Sequence, residues 1–126
     1  GRDTGYLGTY GPSGVHVSPV KFFLDDDLNV YIHSRGGTKF ENLATHSQAC
    51  LLVSSPFQDD FNEIKGVQLF GKTQVAHSNS QLYETAEELC PWEHPADTKL
   101  IYMNTTEAVF VDRLAGADIK QKWYRK

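Results

Sequence analysis

The densest collection of groups able to do chemistry is the run His33-Ser34-Arg35-Gly36-Gly37-Thr38-Lys39. Tyr31-Ile32 before it and Phe40-Glu41-Asn42-Leu43 after it make it read as a strand end, a glycine turn and a helix start. Such a turn can hold a phosphate, because backbone N–H groups at a helix N-terminus are unpaired and carry positive partial charge. Gly36 and Gly37 let a ligand come close to the backbone. A phosphate monoester carries roughly −1.5 to −2 at neutral pH. Arg35, Lys39 and the roughly +0.5 of a helix end nearly balance it. Thr38 with Glu41 spells a capping box, which makes Thr38 the expected N-cap. Phe40, Leu43 and Ala44 then share the buried face. The same residues also suit a plain, solvated helix start with two surface cations, because a glycine pair is a weak signal.

The remaining composition narrows the classes. With 126 residues the chain suffices for one domain, residues 1–126, with a real core. Apolar residues make up 40% and the net charge is −4, which argues against a general nucleic-acid binder. No apolar run is long enough for a membrane-spanning helix, and no signal-peptide pattern is present. Cys50 sits in an apolar run and reads as core, while Cys90 precedes Pro91 and reads as a helix end. The two have neither metal nor redox spacing, so a reducing, cytoplasmic setting is expected. The five histidines (16, 33, 46, 77 and 94) contain no HExxH or similar pair, and no metal site is expected.

These groups must be positioned by a mostly β scaffold. Gly5–Tyr10 reads as a short strand, Gly11-Pro-Ser-Gly14 as a turn between antiparallel strands, and Val15–Leu24 as the second strand. Pro19 cannot donate to a ladder and marks an edge or a bulge. Asp25-Asp-Asp27 reads as a solvated acidic turn rather than a metal site. Asn29–Ser34 is a strand, a helix runs from Lys39 to about His46, and Gln48–Ser55 is an apolar strand of the kind buried on both faces. Residues 56–65 form a polar loop. Gly66–His77 is a long strand, in which Gly71 suggests a bulge or a close backbone approach. Ser78-Asn-Ser-Gln81 opens a second helix by a capping-box pattern, with Leu82, Ala86 and Leu89 at helical spacing and Pro91-Trp92 ending it. Leu100–Met103 and Glu107–Leu114 read as two last strands. Trp123 and Tyr124 need cover from their own core or from a partner subunit. Six or seven mostly antiparallel strands with two short helices tend to close into a barrel.

The ordered set Gly5-Tyr-Leu-Gly-Thr9, Val15-His-Val-Ser-Pro-Val20, Tyr31-Ile-His-Ser34, Lys39, Glu41-Asn-Leu43, Ala49-Cys-Leu-Leu-Val53 and Val67-Gln-Leu-Phe-Gly-Lys72 resembles the pyridoxamine 5′-phosphate oxidase-like, FMN-binding split β-barrel family. The likeness covers roughly residues 5–115. The pattern His33-Ser34, Lys39, Asn42-Leu43 is most similar to short members related to nitroimidazole-resistance proteins. The resemblance implies a mainly β, six- to seven-stranded antiparallel split barrel with two or more short helices, forming a homodimer with FMN in a groove between barrels. It implies that Lys39 holds the FMN phosphate, helped by Thr38 or Arg35. It further implies that His33 and Ser34 line the ribityl or ring edge, that Ser18, Pro19 and Val20 lie along the flavin, and that Gln68 reaches it from the partner.

The chain departs from the true pyridoxamine phosphate oxidases. Their early-strand Arg and second phosphate Arg correspond to Val17 and Thr38, and the terminal Trp123-Tyr-Arg-Lys126 carries no histidine. This argues against activity on vitamin B6 phosphates. The expectation is an FMN-binding flavoprotein, an oxidoreductase of unknown substrate. The alternatives are a non-enzymatic flavin carrier or sensor, a haem binder through His33, and a barrel without cofactor. No residue is marked as a catalytic acid or base. His33 is the nearest candidate, and the favoured reading of it is a ring that only hydrogen-bonds the flavin or a backbone carbonyl.

Overall fold

The computed structural model describes residues 3–12, 14–54, 65–112 and 119–125. Its elements in order are β1 (Thr4–Gly11), β2 (Gly14–Lys21), β3 (Phe23–Leu24), β4 (Val30–Ser34), α1 (Thr38–Thr45), β5 (Gln48–Ser54), β6 (Lys65–Ala76), α2 (Gln81–Leu89), β7 (Lys99–Asp112) and β8 (Ile119–Tyr124). The strands form one sheet in the order β2-β1-β5-β6-β7-β4-β3, with β8 also paired to β7, and every pairing is antiparallel. β2 and β3 lie at opposite ends of that order, yet Phe22 alone separates them in the chain. The sheet must therefore curl to bring its ends together, which is the geometry of a split β-barrel.

One core fills the inside of the curl. Leu7, Val20, Phe22, Val30, Ile32, Leu43, Leu51, Leu69, Ile101 and Met103 are buried there, and Phe40, Val67 and Trp123 pack at its margin. A second cluster lies on the other face of β4 and β7, where α2 covers Phe23, Tyr31, Ala76 and Leu100 with Tyr83 and Ala86. Successive strand residues face opposite ways. β4 thus feeds both clusters, Val30 and Ile32 into one and Tyr31 into the other.

Several sequence expectations need correction. The strand expected over residues 15–24 breaks at Phe22, where alternation fails because Phe22 and Phe23 are both buried. The two expected last strands are the single strand β7. Its ladder with β6 continues across a bulge, paired Phe70 with Glu107 and then Gly71 with Thr105. β8 was not expected at all. Of the loop expected over residues 56–65, all but Lys65 lies outside the described residues, as do residues 113 and 114 of the final expected strand. Leu89 and Ala44 turn to solvent, and the helices bury Tyr83 and Ala86 (α2) and Asn42 and Leu43 (α1) instead. Ser80, rather than Ser78, caps α2: its hydroxyl accepts from the Tyr83 N–H at 3.2 Å. β5 is buried on one face only. Cys50 and Leu52 lie on its outer side, so Cys50 is not a core residue. Three readings hold: Pro19 sits on an edge strand, Gly71 sits at a bulge, and Cys90 ends α2.

The acidic turn is also more than solvated. Asp26 and Asp27 are exposed, but Asp25 gathers four donors. Its Oδ1 accepts from the Asp27 and Asn29 N–H groups, both at 2.9 Å, and its Oδ2 from Asn29 Nδ2 at 3.1 Å and the Tyr31 hydroxyl at 2.8 Å. Burial pushes this carboxyl's pKa up, but these hydrogen bonds outweigh burial and hold it below the usual carboxylate value. The Tyr31 hydroxyl is pushed up, first by burial and then by its bond to Asp25. Arg125 fastens the chain end to the same turn, donating to the Asp27 carbonyl at 2.6 Å and the Asn29 amide oxygen at 3.1 Å.

Candidate functional site

The turn after β4 folds differently from the expected capping box. Gly37 is the N-cap of α1, at φ 114 and ψ 177, and no side chain caps the helix. Only glycine adopts that backbone readily, so it takes the cap position and Thr38 becomes the first helical residue. α1 is pinned by Asn42, which is fully buried and donates to Thr9 Oγ1 at 3.2 Å. Its amide fills the space that a side chain on Gly11 would need, so α1 lies tight against β1.

Lys39 stands at the helix start with its Nζ donating to the Gly36 carbonyl at 2.9 Å. It makes no ion pair among the described residues, and burial pulls its pKa below the ordinary lysine value. A second cation joins it. Lys99 lies opposite Ser34 in the β4–β7 ladder, and its Nζ is 5.2 Å from the Phe40 ring centroid, against 5.6 Å for Lys39. Sequence reasoning missed Lys99 because only strand pairing across 65 positions (from Ser34) brings it here. Arg35 does not join them. Its Nε donates to Asp97 at 3.0 Å, both side chains are exposed, and that bond holds the Asp97 carboxyl below its usual value.

The other expected residues divide between faces. Ser18 and Val20 are on the inner face of β2; the Ser18 hydroxyl is buried and has no hydrogen-bond partner among the described residues. Pro19 is on the outer face. Ser34 follows the inner face and contacts the Gly36 carbonyl at 3.5 Å. Gln68 pairs with Leu52 and Val109, opposite in phase to the core residues Val67 and Leu69, so it lies on the outer face of β6. His33 leaves β4 on the face opposite Ser34, beneath α2, and is separated from Lys39 by the sheet.

There His33 meets two residues that the sequence did not single out. Its Nε2 is 3.1 Å from Glu87 Oε1, and its ring stacks on His94 with centroids 3.6 Å apart. Burial lowers the His33 pKa first, then the neighbouring His94; together they outweigh Glu87. A cavity of about 200 Å³ opens beside this cluster, lined by Lys21, Phe23, His33, Trp92 and His94 among others. The sequence argued against a metal site, yet a triad of possible ligands converges here from β4, α2 and the segment before β7. No short motif announces it, because His33 lies 54 positions from Glu87.

The curled antiparallel sheet with its two helices defines the class of the fold, a split β-barrel. The chain belongs to the pyridoxamine 5′-phosphate oxidase family, whose model matches residues 1–112. Among solved structures it is similar to a pyridoxamine 5′-phosphate oxidase-related, FMN-binding protein of Nostoc punctiforme, with a TM-score of 0.73, 11% identity, and 99% of this chain and 82% of that one covered. It is also similar to a heme-binding protein of Mycobacterium smegmatis, with a TM-score of 0.69, 15% identity, and 97% of this chain covered against 52% of that one. A suspected 5-nitroimidazole antibiotic resistance protein of Bacteroides thetaiotaomicron matches with a TM-score of 0.64, 16% identity, and 85% and 75% covered. At these identities the likenesses speak for the fold alone. No curated protein matches the sequence. No helix among the described residues is long and apolar enough to cross a membrane.

Proposed function

We propose that the protein binds FMN at a homodimer interface and acts as an oxidoreductase on a small molecule. The observation that carries this reading is the pairing of Lys39 and Lys99 across Phe40 at the N-terminus of α1. Lys39 is a half-buried ammonium with only a carbonyl as acceptor, and a phosphate dianion would supply the missing countercharge. Lys99 takes the part expected of Arg35. The buried, unpartnered Ser18 hydroxyl on the inner face offers a further polar contact along the isoalloxazine or ribityl chain. When bound, FMN would supply the electron transfer, and the protein would hold it and limit water. Pro19 and Gln68, on the outer face, would reach a flavin only as part of an interface between two chains, which is how the dimer enters the reading.

The test is titration of the flavin-free protein with FMN and with riboflavin, followed by flavin fluorescence. FMN should bind at least tenfold more tightly, because riboflavin lacks the phosphate. Equal affinities would remove the phosphate assignment, and no binding of either would remove the flavin. Turnover with NADH or NADPH and a panel of acceptors separates an enzyme from a flavin carrier or sensor. A haem spectrum in the purified protein would replace FMN.

A further inference from the structure

We infer that His33, Glu87 and His94 form a site for a divalent first-row transition metal, separate from the proposed flavin groove and on the opposite face of β4. Their ligand atoms all lie within 4.8 Å of one another. Two neutral imidazoles and one carboxylate are a donor set suited to Zn²⁺, Co²⁺, Ni²⁺ or Fe²⁺.

The hydrogen-bond pattern argues for a cation among them. His94 Nδ1 is 2.9 Å from the Pro95 carbonyl, which can only accept, and 3.2 Å from the Thr98 hydroxyl, whose own proton goes to that same carbonyl, so Nδ1 carries the proton. That leaves His94 Nε2, at 2.5 Å from Glu87 Oε1, as a lone pair facing an anion unless a second proton or a metal ion lies between. The Pro95 contact is also the outer partner that orients a metal-binding histidine. His33 gives the second, independent sign. Its side chain is 5% exposed, and its Nε2 is buried without a hydrogen-bond partner among the described residues. It approaches the same Glu87 oxygen at 3.1 Å but off the direction of a hydrogen bond. A buried imidazole nitrogen left unpaired is costly, and a shared cation resolves it.

The distances are within reach of coordination. Ligand atoms about 2.0–2.2 Å from one tetrahedral ion sit roughly 3.3 Å apart. The His33–Glu87 spacing already matches, the His94–Glu87 contact would open by rotation of the Glu87 side chain, which is 43% exposed, and the His94 ring would have to tilt out of its stack on His33 for both in-plane lone pairs to converge on one ion. Three protein ligands leave one position free. The adjoining cavity, which both histidines line and where Lys21 sits over Trp92, would admit water or a small anion to it.

The experiment is titration of the tag-free, metal-stripped chain with Co²⁺ and Zn²⁺, followed by the visible bands of Co²⁺ and by calorimetry. One ion per chain is expected. Glu87→Gln and His94→Ala should each weaken it by more than the roughly 10–100-fold that losing an outer partner costs. His77→Ala, at an exposed position outside the cluster, should change nothing. Glu87 is half exposed, so Glu87→Gln should fold, and its circular dichroism would show it. The inference is overturned if the parent takes up no stoichiometric metal, which would leave a proton shared by His94 and Glu87. It is equally overturned if the folded Glu87→Gln variant binds Co²⁺ as tightly as the parent.

Discussion

Two side chains define opposite ends of what a single residue does here. Lys39 is a cation whose ammonium, among the described residues, hydrogen-bonds only a carbonyl, and Asp25 is an anion with four donors. Lys39→Ala should weaken FMN binding by roughly 1.5–3 kcal/mol, the size of a charged hydrogen bond, and leave riboflavin binding unchanged. Lys99→Ala should act in the same direction, whereas Arg35→Ala, already paired with Asp97, should do little. An Arg35→Ala loss as large as that of Lys39→Ala would restore the pairing read from the sequence. For Asp25 the folded carboxyl titrates below its unfolded value, so its contribution is fully present above that unfolded value, near pH 4, and is lost as pH falls through the folded value. Asp25→Asn should cost roughly 1–3 kcal/mol at pH 7, because the Tyr31 hydroxyl and Asn29 amide lose their acceptor. It should also flatten the acid limb of the stability curve below pH 4. Urea unfolding of both proteins at several pH values measures this, and parallel acid limbs would show that Asp25 is not the group responsible.

At the scale of elements, the bulge in the long β6–β7 ladder puts its extra residue, Thr106, on β7 and Gly71 on the strand opposite. A Cβ on Gly71 would overlap the Asn104 carbonyl oxygen, backbone that cannot move aside. Gly71→Ala should therefore destabilise the fold by roughly 1–3 kcal/mol or more in urea. Gly36→Ala, which meets nothing within 4 Å, serves as the control and should change stability little. The bulge was legible because a lone glycine weakens a long alternating strand, and a bulge or a close backbone approach is what makes it fit there. The α1 cap was not. Thr38 and Glu41 satisfied a local rule, but Gly37 holds the cap position at a positive φ and α1 is fixed instead by Asn42, docked between β1 and the hairpin. β8 was illegible for a related reason: Lys120-Gln-Lys122 reads as polar tail, and only pairing with the open edge of β7 gives it order.

At the scale of the whole molecule, the outer face of the sheet carries Val15, Val17, Tyr6, Tyr10, Leu52 and Tyr124, all exposed, with Val15 at 76%. The residues on the adjacent strands β2, β1 and β5 form a patch more apolar than a lone chain comfortably shows to water, with Tyr124 on β8 apart from it. Trp123 instead packs at the core margin, leaving Tyr124 as the terminal aromatic still needing cover. The chain should run at twice its monomer mass in light scattering at micromolar concentration, and Val17→Glu should halve that mass and weaken FMN together. A monomeric parent would remove the shared groove. The sequence by itself determined the β-rich composition, the strand periodicity, the glycine turn and its cations, because local spacing encodes which face is apolar and where the chain must bend. The tertiary structure alone decided that Lys99 shares the Phe40 ring with Lys39 while Arg35 pairs with Asp97, and that His33 turns to the other face of β4 toward Glu87 and His94. Those outcomes depend on which strands pair and which face of β4 each residue occupies, and pairing over 50 or more positions leaves no mark in local spacing.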